Sequence, residues 1–231
     1  MIQLRRADQR GHADHGWLNA YHSFSFSEYY DPAWMGYGSL RVINEDRIAA
    51  HAGFPPHPHR DMEIITYVME GALRHRDSTG GAADLKPGEL QVMHAGRGIR
   101  HSEVNPVGEQ THLLQIWIEP NELDVRPRYE QEALDAVALK QGFAKVVAPI
   151  GEAAPFQIHA DARLYIAWAA AGQKLELKLN PARKYYLHLA KGSLKLGEQA
   201  LQAGDAAMLE KESALAATAT AESQVLLFDL V

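Results

Sequence analysis

Cysteine is absent from the 231 residues, which excludes disulfides, thiolate metal sites and cysteine nucleophiles. Long apolar runs are missing too. The longest, 164–171, is eight residues, far short of the roughly 20 that a bilayer-spanning helix needs. Basic charge is scarce: 23 Lys+Arg against 29 Asp+Glu leave a net charge of -6, the wrong sign for a nucleic-acid-binding face. Residues 1–10 carry three arginines with no apolar core behind them, so they do not read as a secretory signal. The default reading is a cytoplasmic globular protein with no nucleic-acid or membrane partner. Helical periodicity sustained beyond two turns is also rare, which turns attention to strands.

Lys174-Leu-Glu-Leu-Lys-Leu179 alternates as a half-buried strand does. Ile64-Ile-Thr-Tyr-Val-Met69 is β-branched and aromatic and stops at the turn Glu70-Gly71. Leu113–Ile118 and Gln224–Asp229 read as further strands, and Arg128–Gln141 as the best helix candidate and linker. A weak internal repeat links the pattern around Gly71, Gly88 and Met93 to that around Gly192, Gly204 and Met208. Short, evenly spaced strands predict an all-β sandwich or jelly roll, and the repeat predicts two similar β-domains, divided as 1–136 and 137–231.

Histidine is abundant: ten of the 12 lie before residue 113. His57-Pro-His59 places two imidazoles two residues apart, so both face one side of a strand. His101-Ser-Glu103 repeats that spacing with an imidazole and a carboxylate. Three neutral histidines and one carboxylate suit a divalent transition metal and leave positions for water, substrate or dioxygen. Glu63, of the same parity as His57 and His59, is the rival carboxylate, or a hydrogen-bond partner for a ligand histidine. His57-x-His59-x-Asp61 also begins a metallo-β-lactamase-like signature, but Met62 stands where its next histidine belongs. His12, His15 and His22 fit no one strand face, and His22 would share a face with Phe24 and Phe26. Asp31-Pro-Ala-Trp34-Met-Gly-Tyr37-Gly38 is turn-rich and aromatic, and Arg41 and Arg60 are candidates for outlying charges. His159 and His188 have no partner at ligand spacing.

Gly53-Phe-Pro-Pro-His57-Pro-His59-Arg-Asp-Met-Glu63 resembles the first cupin motif, and Gly98-Ile-Arg-His101-Ser-Glu-Val-Asn105 the second, with Gly96 in place of the second motif's usual proline. With His15-Gly-Trp-Leu-Asn-Ala-Tyr-His22-Ser-Phe-Ser-Phe26 and Gln115-Ile-Trp-Ile118, the chain is similar to the pirin family, bicupins that include quercetin 2,3-dioxygenase-like proteins. The resemblance is dense over about residues 1 to 130 and rests beyond that on the repeat. It implies two tandem cupin domains: an N-terminal one holding a metal on His57, His59, His101 and Glu103, and a degenerate C-terminal one. Counting from the repeat glycines puts Lys178, Asn180, Ala217 and Ala219 at the ligand positions of the second copy, so that barrel is expected to hold no metal.

The resemblance further implies a metal-dependent dioxygenase that opens a flavonol such as quercetin with O2 and releases CO, Glu103 being ligand and general base. Iron(II) is the family's usual metal; copper, nickel, cobalt, manganese or zinc would suit the ligand type. The alternative is a non-enzymatic, redox-sensing pirin acting through a protein partner.

Overall fold

Alternating side chains, cut at short intervals by glycine turns, fold into strands of three to nine residues over most of the chain. The computed structural model describes residues 2–231. In chain order the first strands are β1 (Ile2–Arg5), β2 (Gly11–Asp14), β3 (Leu18–His22), β4 (Leu40–Ile48), β5 (Gly53–His59), β6 (Glu63–Glu70), β7 (Leu73–Asp77), β8 (Ala82–Leu85), β9 (Glu89–His94), β10 (Ile99–Val104), β11 (Thr111–Ile118) and β12 (Arg128–Ala133). A short helix, α1 (Ala136–Gln141), precedes β13 (Ala144–Pro149), β14 (Phe156–Ile158), β15 (Arg163–Ala169), β16 (Lys174–Lys178), β17 (Lys184–Lys191), β18 (Ser193–Leu196), β19 (Gln199–Gln202), β20 (Ala206–Glu210), β21 (Ala214–Ala219) and β22 (Ser223–Leu230). No helix among the described residues is long and apolar enough to cross a membrane.

The strands form two compact units. One, residues 11–134 with 158–160, holds a sheet ordered β12-β9-β6-β11-β4-β3-β2 and a second ordered β5-β10-β7-β8. The other comprises residues up to 10, 135–157 and 161–231. Its sheets run β1-β20-β17-β22-β15-β13-β14 and β16-β21-β18-β19. The orders match strand for strand: β6 answers to β17, β11 to β22, β10 to β21. Each is the two-sheet jelly roll of a cupin, so the chain is an all-β bicupin. β1 pairs with β20, Ile2 opposite Leu209, so the first ten residues belong with the second barrel.

The repeat extends to its turns. Gly71 and Gly192 both take a left-handed backbone, with φ 77° and 88°. A Cβ at Gly71 would lie 2.8 Å from Thr111 Oγ1, and one at Gly192 would lie 2.4 Å from Ser223 Oγ. Thr111 and Ser223 open the equivalent strands β11 and β22, so the same close approach recurs in both barrels.

The interiors differ. Leu175, Leu187, Leu189, Leu194, Leu196, Leu215 and Leu227 are among the buried residues packed into one continuous apolar cluster in the second barrel. In the first, Leu18, Ile48, Val68 and Leu113 pack in one cluster, and Ile64, Met93 and Ile99 in another. Between them the strands turn polar groups inward.

One expected element differs. Arg128–Gln141 does not form a single helix: Arg128–Ala133 pairs antiparallel with β9, and only Ala136–Gln141 is helical. The Glu/Gln/Ala composition favours a helix locally, but pairing satisfies the otherwise open edge of β9. Asp135 Oδ1 then caps α1 by accepting from the Val137 and Ala138 amides.

Gly192→Ala combines a left-handed backbone with a Cβ 2.2 Å from the Glu222 carbonyl oxygen. It should cost about 1–3 kcal/mol in denaturant unfolding, and more than Gly197→Ala, whose φ of 57° is also left-handed but opens on free space. Equal losses would show that conformation, not the close approach, sets the cost.

Candidate metal centre

Gly53 allows the site to form. β5 and β10 pair antiparallel, with Gly53 opposite Val104 and His57 opposite His101. A Cβ on Gly53 would stand 2.2 Å from the Glu103 carbonyl oxygen and 2.5 Å from Val104 Cα, so a side chain there would drive the strands apart. The register shifts between His101 and Glu103, where Phe54 to His57 on β5 spans a shorter stretch of β10. This bulge takes up Pro55 and Pro56, which have no N–H for a ladder.

The bulge brings three imidazoles together. His57 Nε2 lies 2.9 Å from His101 Nε2. Ring centroids of His59 stand 4.8 Å from both His57 and His101, and Trp117 packs edge-on against His59 at 4.9 Å. One ring nitrogen from each of the three falls within 4.8 Å of the others. His57 Nδ1 donates to the Pro55 carbonyl at 2.8 Å, which leaves Nε2 as a lone pair aimed at its neighbours. Burial, reinforced by His57 and His59 alongside, holds His101 down to about 2. Burial and His57 hold His59 down to about 4. Both rings are therefore neutral donors at neutral pH.

Glu103 lies two residues beyond His101 on the same face, buried at 3% exposure. It groups within 4.8 Å with His101 and His75 rather than inside the tight imidazole triad. Gln115 Nε2 donates to both of its oxygens, at 2.8 and 2.7 Å, while Gln115 Oε1 accepts from the Thr66 hydroxyl at 3.2 Å. Burial pushes the Glu103 carboxyl up to about 7, against the pull of Gln115. Asp46 shares the cavity; burial, with Glu103 and Glu45 near it, pushes its carboxyl up to about 8.

This donor set fits a transition-metal ion. Nitrogens bound to one ion at about 2.0–2.1 Å stand roughly 3 Å apart, the separation of the His57 and His101 Nε2 atoms, and a carboxylate adjoins them. Glu63 does not join them. Its Oε2 lies 2.6 Å from His94 Nδ1 and its Oε1 accepts the His159 amide at 3.2 Å. Strand parity with His57 and His59 fails because residues 60–62 are a turn, with Asp61 at φ 46°.

The cavity around the cluster measures about 310 Å³, a size suited to a small organic molecule. Leu18, Ala20, Phe26, Phe54, Ile64 and Trp117 give it apolar walls, and His22, Asn44, Asp46 and Gln115 add polar groups. Trp34 and Tyr37 are not among its lining residues. Arg41 donates to the Ser25 carbonyl, and Arg60 pairs on the exposed rim with Asp61 and Asp124. His12 stacks on Tyr21. His159 bonds Glu122, and His188 is buried on β17.

Asn44 and Asp46 in the cavity wall escaped the sequence reading, and so did a pair on a neighbouring strand. His75-Arg-Asp77 on β7 has the same i, i+2 spacing as the other two pairs and lies beside β10, with His75 opposite Glu103 and Asp77 opposite His101. Spacing alone was the available signal. The ring of His75 stacks on Tyr129 at 4.4 Å. Burial holds His75 below its ordinary value even though Asp77 pulls it up.

The second barrel carries other residues at these positions. His75 and Leu196 stand equally far from the repeat glycines; their register partners are Glu103 and Ala217. Ala217 therefore answers to Glu103, and Leu215 to His101. The offset mapping to Ala217 and Ala219 runs two residues long, one of them from the β20–β21 connection, 211–213, being shorter than the β9–β10 connection, 95–98. Neither Leu215 nor Ala217 offers a metal donor.

Two cupin barrels, one with a buried His/Glu cluster and one filled with leucine, define a bicupin of the metal-binding type. A family model described as "Pirin" matches residues 3–118, and one described as "Quercetinase C-terminal cupin domain" matches residues 145–230. The chain belongs to the pirin family. It is 45% identical over its whole length to a quercetin 2,3-dioxygenase of Escherichia coli strain K12, covering 99% of that protein. It is 41% identical to a pirin-like protein of Caulobacter vibrioides, with 99% of each chain covered. A crystal structure of the Escherichia coli bacterial pirin YhhW in complex with nickel(II) superimposes with a TM-score of 0.93 at 42% identity, over 100% of this chain and 99% of that one.

Gly53→Ala should weaken nickel(II) uptake roughly tenfold or more, the scale on which support of metal ligands matters, because it separates β5 from β10. Gly108→Ala, with open space around its Cβ, should bind as the wild type does. Equal affinities in a competition titration would show that the close approach at Gly53 does not position the cluster.

Proposed function

We propose that this chain is a metal-dependent dioxygenase that opens a flavonol such as quercetin with O2 and releases CO. The observation that carries the reading is the meeting of His57, His59, His101 and Glu103 at one apolar cavity. His57, His59 and His101 would hold the ion through ring nitrogens, and Glu103 would complete the set. Iron(II) is proposed first, with nickel, copper, cobalt, manganese and zinc compatible with the same donors. When bound, the ion supplies Lewis acidity that lowers the pKa of an enolic hydroxyl.

The chain's own residues supply the rest. Glu103 accepts the proton of the flavonol 3-hydroxyl. Without an ion, burial pushes this carboxyl up to about 7; a bound cation would favour the carboxylate, the form that accepts a proton. Gln115 keeps the carboxylate aimed inward throughout, since its amide bonds either oxygen. Phe26, Phe54, Ile64 and Trp117 hold the planar rings and exclude water from the electron-rich flavonolate. Asn44 and Asp46 offer hydrogen bonds to peripheral hydroxyls.

The test is quercetin consumption under air, followed by absorbance together with CO release. Wild-type protein loaded with one metal ion per chain should turn over with saturation and stop without dioxygen. Glu103→Gln should lose about two or more orders of magnitude in kcat, the usual scale for a general base, while still binding flavonol. His59→Ala should lose the metal itself. His159→Ala, whose ring bonds only Glu122 among the contacts described above, should change neither. Metal-loaded protein that bound no flavonol, or consumed it without releasing CO, would overturn the reading.

A further inference from the structure

We propose that Asp77 and His75 are positioning residues for the metal centre: a buried hydrogen-bonded chain, Asp77–His75–His101, that fixes the His101 tautomer with its Nε2 lone pair aimed at the ion. The proposal rests on reading His101 as a ligand.

The tautomers follow from one end of the chain. Asp77 Oδ1 accepts from the Thr79 amide at 2.7 Å, the Thr79 hydroxyl at 2.5 Å and the Gly81 amide at 3.2 Å. Three donors on one oxygen hold this group as a carboxylate. Its Oδ2 lies 2.7 Å from His75 Nε2, with both side chains fully buried. A carboxylate oxygen can only accept, so His75 Nε2 carries the proton. In the neutral ring Nδ1 is then an acceptor. It faces His101 Nδ1 at 3.4 Å, and a contact between two lone pairs there would repel, so His101 Nδ1 carries a proton and donates it. What remains on His101 is the Nε2 lone pair, directed at His57 Nε2 2.9 Å away.

This order has two consequences. The ligating nitrogen is selected before any ion arrives, so no tautomer change accompanies binding. A histidine whose outer N–H is bonded toward a carboxylate is also a more basic, stronger donor than one bonded to water. Tyr129 stacked on His75, and complete burial, keep water from substituting for His75 in the chain. The strand register makes the chain possible, because β7 presents His75 and Asp77 on the face that β10 uses for His101 and Glu103.

A rival arrangement is a second metal ion bound by His75, His101 and Glu103, which also lie within 4.8 Å of one another. With an ion also at the imidazole triad it requires His101 to surrender its one ring N–H proton, and it consumes the acceptor that the chain assigns to His75.

Cobalt(II) titration of the metal-free protein, read by visible absorption and by competition with a chelator, separates these cases. Wild type should bind one ion per chain. His75→Phe keeps the stack on Tyr129 but has no acceptor. It should bind cobalt(II) about 10–100-fold more weakly, the range for lost partners of ligand histidines, with a shifted d–d band. His75→Asn places an amide oxygen near the Nδ1 position and should recover most of the affinity and the band position. Thermal unfolding of the metal-free variants serves as the folding control. Wild-type affinity and spectrum in His75→Phe, with His101→Ala losing the ion, would overturn the chain and leave the ligand set standing. Unchanged binding in His101→Ala would overturn the ligand set. Two ions in wild type and one in His75→Phe would make His75 a ligand instead.

Discussion

The pairing of β5 with β10 is the constraint on which the site depends. Side chains alternate along each strand, so a one-residue slip would turn His57 and His59 out of the cavity. Two features hold the register. Gly53 lets the backbones meet at Val104, and the bulge carrying Pro55 and Pro56 brings His57 opposite His101. β7 on the far side of β10 adds a third inward pair in the same phase. Three neighbouring strands thus each contribute two polar residues to one face, whereas Leu196, Leu215 and Ala217 stand at the positions of His75, His101 and Glu103 in the second barrel.

Polar groups buried in such numbers must be paired or answered by a ligand. Glu103 is met by Gln115, Gln115 by Thr66, His57 by Pro55 and Asp77 by the turn at Thr79 and Gly81. These bonds leave the Nε2 atoms of His57 and His101 facing each other and two carboxyls raised above their ordinary values. That remaining imbalance is what a cation would relieve. It would attract lone pairs that now oppose one another and favour the charged form of Glu103.

Much of this was legible in the residues. Fold class, the repeat and the three histidines followed from alternation, turn glycines and i, i+2 spacing, since each is local in the chain. What escaped depended on contacts between distant strands. Arg128–Ala133 has helix-favouring composition, and only the unpaired edge of β9 makes it a strand. Glu63 has the right parity on paper, but Asp61 at φ 46° breaks the strand before it. Gln115 lines the cavity from β11, whose apolar run disguised an inward polar position, and Asn44 and Asp46 line it from β4, a stretch too charged to stand out as a strand. His75 and Asp77 carried the right spacing and a glycine turn at Gly80-Gly81, yet they belong to neither of the two cupin motifs.

The placement of β1 has a consequence in time. β12 closes an edge of the first barrel's sheet soon after the rest of that barrel has been made. β1, by contrast, pairs with β20, Ile2 opposite Leu209. At about 5–20 residues per second of synthesis, the first strand made waits roughly 10–40 s for its partner. Over that interval its edge has no native neighbour, while the first barrel acquires all of its strands once β12 is made. A nascent chain of this design therefore completes the strands of the barrel with the candidate metal centre first, and anchors β1 only later.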